Sequence, residues 1–186
     1  SGKCFSRGSK NGRSAALSGG HSDTGDKHSM TKTTAPGQAT VHVLNGPNLN
    51  LLGLREPHLY GSDTLAQVEA LCRRVCAELG LACEFRQTNH EGVLVDWVQE
   101  ARACGAAIVI NPAGLSFRSI PLLDALKTVD QPIAEVHITN IHRRDPIYQK
   151  SLVSLAASGV ICGFGIFGYE MGVRAVAHQM ALAAAR

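Results

Sequence analysis

From Val41 onward, short apolar runs alternate with stretches in which apolar residues recur every three or four positions. The runs are VHVLN at 41–45, LACEFRQ at 81–87, AAIVIN at 106–111, PIAEVHI at 132–138 and VICGF at 160–164. Their length and bounding turn residues predict strands. The periodic stretches at 64–79, 92–104, about 119–128 and 167–185 predict helices. The first opens on a Thr64–Gln67 capping box and puts Leu65, Val68, Leu71, Cys72, Val75 and Leu79 on one stripe. A stripe of that width is made to pack on a sheet.

Strand–helix alternation of this kind calls for a parallel sheet covered on both faces. Five strands and about five helices predict an α/β fold with a flavodoxin-like, doubly wound five-stranded parallel sheet, strand order 2-1-3-4-5. Ligands of such sheets bind at the carboxyl ends of the strands. Each predicted strand runs into a polar or glycine-rich segment: NGPNLN (45–50), NHEG (89–92), NPAG (111–114), EVHITN (135–140) and GFGIFG (163–168). Any α/β protein needs Gly and Asn to turn its corners, so one such loop means little. Five converging on one edge predict a crevice for a small-molecule substrate. GFGIFG fits the GxGxxG pattern of dinucleotide sites, but only 18 residues follow Gly168. That leaves no room for a second strand or for an acidic ribose partner. Close strand–helix packing is the better account of its glycines.

Composition separates residues 1–40 from 41–186. The first stretch is dominated by Ser, Gly, Thr, Lys and His and cannot bury enough surface to offset the entropy of ordering, so a disordered leader or added segment is expected there. Met30 offers a natural start, with an added segment upstream; a transit peptide is the other reading, against which Asp23 and Asp26 count. The formal net charge of +3 belongs to this stretch, which holds six Lys or Arg against two acids, leaving twelve and thirteen in the remainder. A basic surface for nucleic acid is therefore not expected on the fold. With 45% hydrophobic and 18% charged residues and no apolar run of about 20, no membrane role is expected either, and the expected location is the cytoplasm. Six cysteines (Cys4, Cys72, Cys76, Cys83, Cys104 and Cys162) fall mostly in apolar helix or strand patterns, which predicts reduced, buried thiols. Cys72 and Cys76 lack a second pair at zinc spacing, so no metal is expected.

Two clusters carry candidate chemistry. The segment GLREPHLYG at 53–61 is bounded by glycines and places Arg55 five residues from Tyr60, a composition suited to a lid. Bringing a phenol from a pKa near 10 toward neutrality takes roughly 4 kcal/mol of preferential stabilisation of the phenolate, part of which a guanidinium supplies. On the fourth strand, Glu135 and His137 are two residues apart and share a face. A lone strand histidine is usually a satisfied core residue, but a carboxylate–imidazole pair is a good general acid.

The motifs NGPNLNLLG, REPHLYG, NHEG, INPAG, the Asp124-Ala125-Leu126 segment, EVHITNIHRR and GVICGFGIFGY stand in an order that resembles the type II 3-dehydroquinate dehydratases across nearly all of 41–186. The resemblance implies a cofactor-free and metal-free anti elimination of water from 3-dehydroquinate, through an enolate, to 3-dehydroshikimate. By position, Tyr60 is the lid phenolate that removes the proton beside the ketone and Arg55 its activator. Asn48 stabilises the enolate through an ordered water. His137 protonates the departing hydroxyl and Glu135 orients it. Asn111 holds substrate hydroxyls, and the backbone around Ile138 and Thr139 receives the carboxylate. Asp124 reaches the site of a neighbouring subunit in a homododecamer, a tetramer of trimers. The role implied lies in aromatic biosynthesis or quinate breakdown.

Two positions depart from the resemblance: Phe117 stands where the family has a histidine on the ring hydroxyls, and Tyr148 where it has a closing arginine. Each loss leaves a substrate hydroxyl short of a partner at ~1–3 kcal/mol. Arg118 is a candidate replacement donor. The alternatives are a paralogue performing the same elimination on a related, less polar cyclic β-hydroxy ketone, and a non-catalytic flavodoxin-like binding module. Tyr60 with Arg55 argues against the second, because a pure binder has no need of an activated phenol.

Overall fold

The computed structural model describes residues 38–54 and 62–185. Arg55, Tyr60 and the expected leader lie outside the described residues, apart from the last three positions of the leader.

Five strands, β1 (Thr40–Asn45), β2 (Ala82–Gln87), β3 (Ala107–Asn111), β4 (Ile133–His137) and β5 (Gly159–Cys162), form one all-parallel sheet in the order β2-β1-β3-β4-β5. The order follows from burial. β3 and β4 are buried at every position and β1 at all but its first, so these three belong in the middle. β2 is only half-buried and β5 begins exposed, as edge strands do.

Among the described residues there are four α-helices rather than about five: α1 (Leu65–Glu78), α2 (Glu91–Cys104), α3 (Ile120–Leu126) and α4 (Phe167–Ala184). Short 3-10 turns lie in the connections from β1 to α1, from β3 to α3 and from β4 to β5. Thr64 caps α1 through the expected box: its hydroxyl accepts from the Gln67 N–H, and the Gln67 side chain accepts from the Thr64 N–H at 2.7 Å. The α1 stripe differs from expectation at its end, where Cys76 is buried and Leu79 is exposed. Gly80, at φ +70°, turns the chain there, so Leu79 closes the helix instead of facing the sheet.

One sheet face, carrying Val41, Val43, Val109 and Val136, packs on α1 and α4 through Val68, Val75, Tyr169 and Val173. The other, carrying Leu44, Ile108, Ile110 and Ile133, packs on α2 and α3 through Leu94, Val98, Leu122 and Leu126. This is the doubly wound arrangement. α4 lies close because Gly172 has no side chain: a Cβ there would stand 3.0 Å from Val136 Cγ2 and 3.1 Å from Val109 Cγ1. Gly168 likewise abuts Val136 and Ile161, whereas Gly163 and Gly165 are required by left-handed φ values of +92° and +60°. Close packing thus accounts for only part of GFGIFG.

Of the cysteines described, Cys72 and Cys76 are buried, Cys83 and Cys162 half-buried, and Cys104 exposed, all as free thiols. Cys104 departs from the expected burial because it ends α2 beside the turn at Gly105. No helix among the described residues is long and apolar enough to cross a membrane.

Candidate active site

The order β1-β3-β4 sets the carboxyl ends of these strands side by side, and the segments that leave them enclose a cavity of about 200 Å³. Asn48, Asn111, Phe117, His137, Ile138, Thr139 and Tyr148 all line it. The five polar loops thus contribute unequally. NGPNLN, NPAG and EVHITN form the wall; NHEG and GFGIFG stand behind it and hold it in place.

At the β1 exit, Gly46 donates its N–H to the Asn111 carbonyl at 2.8 Å. A Cβ on Gly46 would come within 2.4 Å of the Pro112 carbonyl oxygen, so the two loops touch at a point only glycine allows. Asn48 follows in the left-handed region at φ 68°, which Asn adopts more readily than most residues. Its N–H donates to Asn89 Oδ1 of NHEG at 2.9 Å, which fixes the strained turn from outside.

Asn111 is locked from two sides. Its Oδ1 accepts from the Ala113 N–H at 3.2 Å, and its Nδ2 donates to the Tyr169 hydroxyl at 2.9 Å. That hydroxyl donates in turn to Asn45 Oδ1 at 2.8 Å, and Asn45 Nδ2 donates to the Arg86 carbonyl at 3.0 Å. Burial pushes the Tyr169 phenol up, so it works as a neutral hydrogen-bonding post. Ala113 and Asn48 are the non-glycine residues with positive φ among those described, and both line the cavity. Backbone strain gathered in this way marks a built site.

On β4, alternation places Glu135 and His137 on the α2–α3 face, with Glu135 fully buried and His137 5% exposed at the cavity wall. His137 Nε2 and Glu135 Oε1 are 2.7 Å apart. Two hydroxyls from the β4–β5 connection complete the carboxylate's shell, Ser151 donating to Oε1 and Ser154 to Oε2, each at 2.5 Å. Burial pushes the Glu135 carboxyl up, but the hydrogen bonds from His137, Ser151 and Ser154 outweigh it and hold the group below the ordinary carboxylate range.

The remaining wall is aromatic. The Phe117 ring lies 6.3 Å from that of His137 at 23°, and Tyr148 meets Phe117 edge-on at 5.5 Å. Arg144, another wall residue, stacks its guanidinium 4.1 Å above the Tyr148 ring. Arg118 and Asp124 are both exposed and stand outside the cavity lining. Among the described residues, no three His, Cys, Asp or Glu side chains gather as metal ligands would. An oriented imidazole, the fixed Asn111 carboxamide, the Asn48 carboxamide and a backbone segment around Ile138 and Thr139 can together bind a small polar ring and pass it a proton.

The family described as dehydroquinase class II matches residues 39–177 of this sequence. The chain belongs to that family. A 3-dehydroquinate dehydratase of Streptomyces avermitilis is 54% identical over 149 residues, which cover 80% of this chain and 94% of the relative. One from Caulobacter sp. strain K31 is 54% identical over 137 residues, covering 74% and 93%. The crystal structure of the type II dehydroquinase from Propionibacterium acnes superposes with a TM-score of 0.73 at 40% identity, covering 76% of this chain and 97% of that one.

Sequence reasoning found Asn48, Asn111, Phe117, His137, Ile138, Thr139 and Tyr148 of the cavity wall but overlooked Arg144 beside them and the wall's supports. Ser151, Ser154 and Asn89 are small polar residues in loops, where such residues are common, and no spacing sets them apart. Tyr169 reads as one more core aromatic on α4, and Arg144 as one charge in a basic run.

Proposed function

We propose that this chain is a 3-dehydroquinate dehydratase, a hydro-lyase whose catalytic unit is the stretch 41–186. The observation that carries the reading is the buried Glu135–His137 pair at 2.7 Å, facing a cavity shared with Asn48 and Asn111. The family match and relatives of that name at 54% identity support it.

In this reading the Tyr60 phenolate, activated by Arg55, takes the proton from the carbon beside the ketone. The electron pair moves into an enolate held from Asn48 through a water. The enolate collapses to expel the hydroxyl, which leaves as water on receiving a proton from His137. Asn111 and the Ile138–Thr139 backbone grip the substrate, beside Phe117 and Tyr148, while Arg118 stands outside the cavity lining. Asp124, exposed on α3, serves a neighbouring subunit of a homododecamer in the cytoplasm. The altered-substrate alternative rests on Phe117 and Tyr148 alone, and the relatives' names favour the first reading.

The test is the absorbance of the conjugated enone carboxylate formed from 3-dehydroquinate. Turnover lost in both Tyr60→Phe and His137→Ala is the expected result. A folded wild-type protein with no turnover overturns the proposal.

A further inference from the structure

Glu135 is placed where a carboxylate is hardest to keep. It is fully buried, between Ile110 of β3 and Val160 of β5 in the sheet register. A buried carboxylate without partners would protonate. Its three hydrogen-bond partners are all groups able to donate: the His137 ring nitrogen, the Ser151 hydroxyl and the Ser154 hydroxyl. The two serines do not belong to β4 or to any neighbouring strand. They come from the β4–β5 connection, Ser154 within a 3-10 turn over Val153–Leu155. Leu152, between them, donates its N–H to the Ser116 carbonyl at 2.7 Å, which ties the pair to the segment carrying Phe117.

We infer that Ser151 and Ser154 are positioning residues for proton transfer at His137, acting through Glu135; this rests on the proposed dehydratase reading. An ionised carboxylate is acceptor-only, so with a hydroxyl donated to each oxygen the nitrogen facing it must carry hydrogen. Nε2 of His137 is therefore the N–H, and Nδ1 is the nitrogen left for the cavity. A proton delivered from Nδ1 takes the ring from imidazolium to the Nε2–H tautomer without disturbing the bond to Glu135. Lose the serines, and Glu135 competes for a proton of its own. The ring then loses the partner that fixes its tautomer and its angle.

The titratable groups set against Glu135 are His137 on its own strand and Cys162 on β5, whose thiol is raised by burial and by the Glu135 charge. Cys162 contributes no cation, so removal of the serine hydroxyls leaves His137 to hold the carboxylate ionised.

The experiment uses the full chain with Ser151→Ala, Ser154→Ala, the double variant, and Ser→Thr at each position. It reads kcat and KM for 3-dehydroquinate, the pH profile of kcat, and the Glu135 titration by 13C-carboxyl NMR, assigned with Glu135→Gln. The double variant is expected to lose on the order of tenfold in kcat with KM within about twofold. Its acid limb and its Glu135 titration both move to higher pH, and threonine restores most of the rate. A folded double variant with an unmoved Glu135 titration overturns the inference, whatever its rate. Should the double variant fail to fold, the single variants are read by the same two criteria. A wild-type protein that leaves 3-dehydroquinate untouched refutes the dehydratase reading, while the Glu135 titration still decides the role of the serines.

Discussion

Tyr169 on α4 holds Asn111 on β3 through a 2.9 Å hydrogen bond inside the core, 58 residues away along the chain. The Tyr169 hydroxyl also donates to Asn45, so one phenol links the exits of two strands. Tyr169→Phe keeps the packing and deletes that link. The expected cost is roughly 1–3 kcal/mol for each buried group left unpaired, with a raised KM because Asn111 loses one of its two anchors. Thermal denaturation and steady-state kinetics on the same variant check both effects.

Gly46→Ala tests the contact between the first and third loops. The added methyl meets the Pro112 carbonyl, which is backbone and cannot rotate away. The expected loss is at least about 1–3 kcal/mol of stability, together with a fall in activity as the Asn111 segment is pushed from its place. An alanine variant with wild-type melting and turnover would show that the loops yield freely.

Acid should weaken the fold in two stages. Burial, helped by Arg86, holds the His42 imidazole below its ordinary value of 6.5. The unfolded chain therefore binds that proton first, and stability present above about pH 6.5 is lost as pH falls through the folded value. Glu135, held below 4.5, adds a second loss of the same sign beginning near that pH. Melting temperature against pH should flatten in the upper window for His42→Leu and in the lower one for Glu135→Gln. A His42→Leu curve parallel to wild type would refute the first stage.

The aromatic wall of Phe117 and Tyr148 offers a substrate no hydrogen bond from the Phe117 ring. Phe117→His, which puts a hydrogen-bonding ring at that position, should improve kcat/KM for 3-dehydroquinate by about five- to hundredfold, the equivalent of roughly 1–3 kcal/mol. No gain would mean that another group already serves that hydroxyl, and Arg144 is a cationic donor in the same wall.

The layout of strands and helices was legible because β1, β3 and β4 are mostly apolar and buried, and α1 carries both a capping box and an apolar stripe. Edges blurred by one or two residues where turn geometry intervened, as at Gly163, whose left-handed φ follows directly after β5. Glu135 and His137 could be paired from strand alternation alone. Ser151 and Ser154 could not, since a hydroxyl reaching back 16 or 19 residues leaves no periodic trace. Arg118 looked close to the wall because it adjoins Phe117 in sequence. A 3-10 turn over Ala113–Phe117 ends there and sends its side chain outward.

The partners of Glu135 and Asn111 also bear on biosynthesis of the chain. Both residues lie on central strands made early, yet Ser151, Ser154 and Tyr169 emerge from the ribosome only later. Until then β3 and β4 would bury a carboxylate held by His137 alone and a carboxamide whose Nδ2 lacks its Tyr169 partner, a penalty against closing the sheet. The nascent chain therefore has a reason to stay open until its C-terminal third arrives, and a truncated product would be left without a sound core as well as without a working site.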